Sequence, residues 1–227
     1  MPARTEQEAA QQLAAAHGGR FLRQWQPDVT HVVVRTGDQR EAGRTLKFLQ
    51  GVAARAWLVS SGWVADSLAA GALLPEETYE AIDAATGEPG PRRARQTGGA
   101  LFADFAFCCV EPFRDVTLQQ LEDLIRQSGG AVAASPEELS AAPARRVRLL
   151  VAQEECEHDF AGWRRRHGVP SVSYEWLIDC VATQRLWSLL DNTLCGATVD
   201  ELRRAGVPEP LCQAETQETE YFDSMGL

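Results

Sequence analysis

The sequence predicts an α/β protein made of two copies of one layered unit, on three observations. Short apolar runs, the β-branched Val32-Val33-Val34 and Trp57-Leu58-Val59, have the length and composition of strands buried on both faces of a parallel sheet. Helical segments alternate with these runs, an order that layers helices against a sheet. The pattern V-S-x-x-W-x-x-D occurs at 59–66 and again at 172–179, so the chain repeats itself.

Taken in order, Thr5 opens an alanine- and glutamine-rich helix that ends at Gly18-Gly19. A glycine pair after a helix lets one residue adopt the left-handed position and the other pass close to the next strand, here Phe21-Leu22. The strand at 32–34 follows. Arg44-Thr45-Leu46-Lys47-Phe48-Leu49, bounded by Gly43 and Gly51, reads as one short helix. After the strand at 57–59, Ser60 or Ser61 caps a helix with Trp63, Val64, Ser67 and Leu68 on one face.

Residues 75–99 belong to neither copy, and their Pro/Gly-rich end reads as a linker. The second copy starts with a buried strand, FAFCCV at 105–110. Thr117 then opens a leucine-rich helix ending at Gly129-Gly130, Ala131-Val132 form a short strand, and 147–151 correspond to 32–34. The middle helix of this copy is poorly marked. In the first copy only four residues precede Thr5. Its opening strand is therefore expected to be missing, leaving unpaired backbone groups and uncovered apolar surface, as in a fragment or a compromised first domain.

At 227 residues the chain suits two domains of about 100 residues. No apolar run nears the roughly 20 residues of a membrane span, and residues 1–20 lack the apolar region of a secretory signal, so an intracellular protein is expected. The six cysteines show no disulfide or zinc-ribbon spacing, and Cys108 and Cys109 sit inside an apolar run. A net charge of −10 argues against direct nucleic-acid binding; an anionic ligand would need a local pocket. Arg92-Arg93-Ala94-Arg95 and Arg164-Arg165-Arg166 read as basic linker or helix faces rather than import or nucleic-acid signals. Cys156, His158 and His167 form only a partial metal set, so no metal and no cofactor are expected. Trp63 and Trp176 read as core. There is no G-x-S-x-G elbow, P-loop or H-E-x-x-H, which argues against an enzyme.

The glycine pair after the first helix and the tryptophan of the last resemble the BRCT repeat. THVVV with RTLKFLQGVA (30–53), PRRAR (91–95), FCCVEPF (107–113) and EWLIDCVA (175–182) carry the resemblance, which covers the chain to about Ala197. It implies tandem BRCT repeats, each a small parallel sheet flanked by helices, packed through an inter-repeat helical interface. The expected divisions are 1–74 for repeat 1, 75–100 for the linker, 101–197 for repeat 2 and 198–227 for an acidic, disordered tail.

By resemblance the module is a monomer that grips pSer-x-x-Phe segments of phosphorylated proteins in a groove between the repeats, within a nuclear DNA-damage-response protein. The resemblance assigns the phosphate to Thr45 and Lys47. A serine-glycine pair that the family also uses has no counterpart, since Pro2-Ala3 stand there. The +3 pocket falls to the main chain of Arg44 with Leu49, Val116 and Ile178, and Asp115 stands where an asparagine is usual. The competing expectation is a scaffold that binds partners without phosphate.

Overall fold

In the computed structural model of the chain, the described residues are 5–98, 100–141, 145–155, 157–194 and 196–214. Pro2-Ala3, Cys156 and residues 215–227 of the tail lie outside them.

The first helix, α1 (Glu6–Ala16), begins at Thr5 with a reciprocal cap: the Thr5 hydroxyl accepts from the Glu8 N–H and the Glu8 carboxylate accepts from the Thr5 N–H. Gly18 follows at φ +70°, the left-handed stop expected of the pair. Then come β1 (His31–Val34), β2 (Glu41–Ala42), α2 (Leu46–Ala53), β3 (Trp57–Ser60) and α3 (Ser61–Ala70). β1 and β3 run parallel with Val32 opposite Leu58.

Three expectations change here. The helix at 44–49 starts only at Leu46, because Thr45 is its extended N-cap, and it runs through Gly51. Gly51 is a packing residue: a Cβ there would sit 3.0 Å from Val32 Cγ2 and from Leu58 Cδ1, so its absence lets α2 close on the sheet. Phe21-Leu22 form no strand, and Val33 is 39% exposed rather than buried on both faces. Both follow from the sheet, which among the described residues has only two strands and leaves one edge of β1 open.

The segment expected as a linker is structured. After a 3-10 turn at Glu76–Thr78, β4 (Ile82–Asp83) pairs with β2, and α4 (Gly90–Thr97) follows. α4 packs against α2, and a Cβ on Gly90 would lie 1.8 Å from the Ala182 carbonyl oxygen in repeat 2. Its arginines are held: Arg92 and Arg95 pair with buried Glu80, Arg93 pairs with Glu88 and donates to Thr183 O, and Arg95 stacks 3.2 Å over Trp57.

Repeat 2 is complete. β5 (Phe105–Val110), β6 (Ala131–Val132), β7 (Val147–Ala152) and β8 (Ser171–Ser173) form a parallel sheet in the order β6-β5-β7-β8. Between them lie α5 (Leu118–Gln127), α6 (Pro136–Ala141), α7 (Phe160–His167) and, after β8, α8 (Tyr174–Thr183). Thr117 and Gln120 repeat the reciprocal cap of α1. Gly130 makes the close approach its pair implies, since a Cβ would be 3.2 Å from Phe107 of β5. Gly19 meets only its own helix, because nothing described in repeat 1 corresponds to β5.

Disorder from residue 198 onward is not what the described part shows. Thr198 caps α9 (Val199–Arg204), and a 3-10 turn at Glu209–Cys212 follows. Leu202, Val207, Leu211 and Cys212 are buried in the main core. Their apolar spacing, not the acidic composition around them, decides the outcome.

Candidate functional site

The repeats meet where α2 packs against α8 and α5. α2 reaches this junction because Phe48, Leu49 and Val52 on its face are buried, an apolar stripe at helical spacing. Leu49 is buried at the junction, and Val116 and Ile178 pack, partly buried, against the same cluster. Asp115 is exposed on the loop before α5 and lies against the hydroxyl of Tyr174, whose ring meets that of Phe113 edge-on at 5.6 Å between centroids.

Thr45 and Lys47 are both exposed at the start of α2. The Thr45 hydroxyl accepts from the Phe48 N–H at 3.3 Å, which leaves the N–H groups of Leu46 and Lys47 without an intrahelical acceptor. Lys47 Nζ donates to the Arg23 carbonyl at 2.8 Å, and among the described residues no carboxylate pairs with it. A neutral carbonyl leaves the ammonium charge uncompensated.

Lys47 also lines a cavity of about 970 Å³ bounded by Leu13 and Ala14 of α1, by β1 and by Trp25, whose buried indole N–H has no hydrogen-bond partner among the described residues. This cavity flanks the open edge of β1, where repeat 2 carries β5.

Arg44 fixes the junction from below. Its guanidinium makes a two-pronged pair with buried Asp83 of β4 (Nε–Oδ1 2.7 Å, Nη2–Oδ2 2.8 Å) and a second with Asp179 of α8. Asp83 also accepts from the Thr86 N–H and hydroxyl. Burial pushes the Asp83 carboxyl up, but the bonds from Arg44 and Thr86 outweigh it and leave the group below the usual carboxylate range. For Asp179 burial wins over the pull of Arg44, and the carboxyl titrates above its usual range. The Asp83 hydrogen bond raises Arg44. With its side chain committed to two carboxylates, Arg44 has only its main chain to offer a ligand.

Sequence reasoning missed Asp83 and Asp179. Asp179 carried a signal, for it is the last residue of the repeated V-S-x-x-W-x-x-D. Its counterpart Asp66 accepts instead from Tyr79 within repeat 1. Among the described residues no three metal-ligating side chains cluster. His158 turns to the Glu111 carbonyl and His167 lies near Glu137. Cys108, Cys109, Cys180 and Cys212 form no disulfide among the described residues, and burial pushes Cys108 up to about 11.

Two family models match the chain: "BRCA1 C Terminus (BRCT) domain" at residues 3–68 and "BRCT domain" at residues 100–191. The chain is a tandem of BRCT domains. Curated relatives include the breast cancer type 1 susceptibility protein homologs of Rattus norvegicus and Mus musculus, each 26% identical over 74% and 75% of the chain. The BRCA1-associated RING domain protein 1 of Arabidopsis thaliana is 28% identical over 63% of the chain. The chain spans 10% of the length of the rat and mouse relatives.

Among solved structures, the BRCT5-BRCT6 domains of S. pombe Brc1 align with a TM-score of 0.52 at 20% identity, over 70% of this chain and 80% of that one. Rtt107p, in a complex with a phosphorylated histone, aligns with a TM-score of 0.53 at 10% identity, over 81% and 84%. These two likenesses show the fold. Tandem BRCT domains are phosphopeptide-binding modules of DNA-damage proteins and are interaction modules rather than enzymes. No described helix is long and apolar enough to cross a membrane.

Proposed function

We propose that this tandem BRCT pair reads phosphoserine in pSer-x-x-Phe segments, as a monomeric part of a nuclear DNA-repair protein. Thr45, Lys47 and the free N–H groups of α2 hold the phosphate. The Arg44 main chain, Leu49, Val116 and Ile178 receive the +3 phenylalanine, and Asp115 steers the peptide backbone. The observation that carries the reading is the Lys47 ammonium, which no described carboxylate neutralises, beside the capped N-terminus of α2 and next to the α2–α5–α8 junction. A phosphoserine brings close to two negative charges, and a helix start with a hydroxyl and an ammonium suits it. Rtt107p, which shares the fold, is solved with a phosphorylated histone.

One observation favours a phosphate-independent scaffold instead. The Thr45 hydroxyl already accepts from the Phe48 N–H and Lys47 Nζ already donates to the Arg23 carbonyl, so each offers a phosphate only its remaining donors. Calorimetric titration of pSer-x-x-Phe against its unphosphorylated twin separates the two, and titration against pSer-x-x-Ala tests the +3 pocket. Binding of pSer-x-x-Phe tighter than of either other peptide by about tenfold or more, reduced in Ile178→Ala, supports the reader. Equal or absent binding of pSer-x-x-Phe and its twin rejects it.

A further inference from the structure

A second concentration of positive charge lies in repeat 2, away from the junction of the repeats. A cavity of about 280 Å³ is lined by Arg148 of β7, Arg164 and Arg165 of α7, Gly168, Pro170, and Glu201, Arg204 and Ala205 at the end of α9. Four arginines and one carboxylate line it, in a chain whose net charge is −10.

The lone carboxylate is already committed. Glu201 accepts from the Thr198 N–H at 2.8 Å, from the Thr198 hydroxyl at 3.0 Å and from Arg164 Nη1 at 2.9 Å. Outside the cavity, Asp159 is 3.9 Å from Arg165, and Asp200 pairs with Arg203 while its carbonyl accepts from Arg204. Arg148 is half-buried and donates to the Ser140 carbonyl at 2.6 Å, and among the described residues no carboxylate pairs with it; exposed Arg204 shares Glu201 electrostatically with Arg164. A part-buried guanidinium with no counter-ion is costly, and planar N–H forks are matched to oxyanions.

We infer that this cavity is an oxyanion site for a phosphomonoester, a second phosphorylated side chain on a protein ligand. Its volume of about 280 Å³ admits one phosphate group. A nucleic-acid backbone requires a basic stripe and a favourable overall field, and this acidic chain lacks that field. The inference is independent of Lys47, because no lining residue belongs to the α2 site.

The test is an NMR titration of the full chain and of Lys47→Ala with inorganic phosphate and O-phosphoserine, following the arginine side-chain N–H signals. Sodium chloride at matched ionic strength is the control. The site predicts saturable shifts of Arg148 and Arg164 in both proteins, weakened about tenfold or more in Arg165→Gln/Arg204→Gln, which changes exposed side chains and leaves the core intact. Shifts equal to those with chloride, shifts lost in Lys47→Ala, or shifts unaffected by the double variant overturn the inference. So does displacement of O-phosphoserine by a single-stranded DNA oligonucleotide at lower concentration.

Discussion

Arg44 is the residue on which the two repeats converge, because it joins α2 to Asp83 beneath it and to Asp179 across the interface. Removing the guanidinium strands a buried carboxylate, so Arg44→Leu is expected to cost about 3–5 kcal/mol in urea denaturation. A loss under about 0.5 kcal/mol would contradict this assignment. The pair also sets a pH dependence. Asp83 is lowered in the fold, so its contribution is present above its unfolded pKa and is lost as pH falls through the folded one. Asp179 is raised and works in the opposite sense, gaining stability as pH falls. The stability gap between the native chain and Asp83→Asn should therefore narrow on acidification below the usual carboxylate range; a gap that does not change with pH refutes it. Trp176 is fully buried against Phe102 and Phe105, and its indole donates to Trp187 O, eleven residues on, as Trp63 does to Leu74 O. Trp176→Ala should cost about 3–5 kcal/mol, and an unchanged melting temperature would reject its place in the core. These tryptophans were legible because they recur at one place in both copies. Asp83 was not, because its role depends on a long-range approach of β4 to α2 that no local pattern records.

Elements were legible where a period or a cap marks them. The threonine starts of α1 and α5, the glycine stops and the strand FAFCCV all fall where the sequence puts them. α4 was read as linker because GPRRARQT has no apolar stripe; among its residues only Gly90, Pro91 and Ala94 are buried, and ion pairs to Glu80 and Glu88 hold the rest. β2 and β4, two residues each, are too short to show alternation. Because Gly90 lies against the Ala182 backbone, which cannot swing away as a side chain can, Gly90→Ala should push α4 off α8 and cost about 1–3 kcal/mol by thermal denaturation. A neutral substitution would show that α4 is not clamped there.

At the scale of the molecule, one duplicated unit has two different sheets. Four strands in repeat 2 bury β7 almost completely, whereas the two described strands of repeat 1 leave Val33 exposed beside a large cavity. Amide exchange should accordingly be slower in β5 and β7 than in β1 and β3; equal protection would mean that the open edge costs repeat 1 nothing. The duplication was readable from the glycine pairs and tryptophans, and the helical interface only from the BRCT resemblance they carry. The route by which Arg44 and α4 weld the repeats was not, since it depends on partners more than 80 residues apart. The central claim is that phosphate on α2 drives recognition. Fluorescence anisotropy of a labelled pSer-x-x-Phe peptide and its unphosphorylated twin, on the chain and on Lys47→Ala, tests it most directly. The account predicts binding that requires the phosphate and falls about tenfold or more in Lys47→Ala. Equal affinity for the two peptides, or full affinity in the variant, would contradict it.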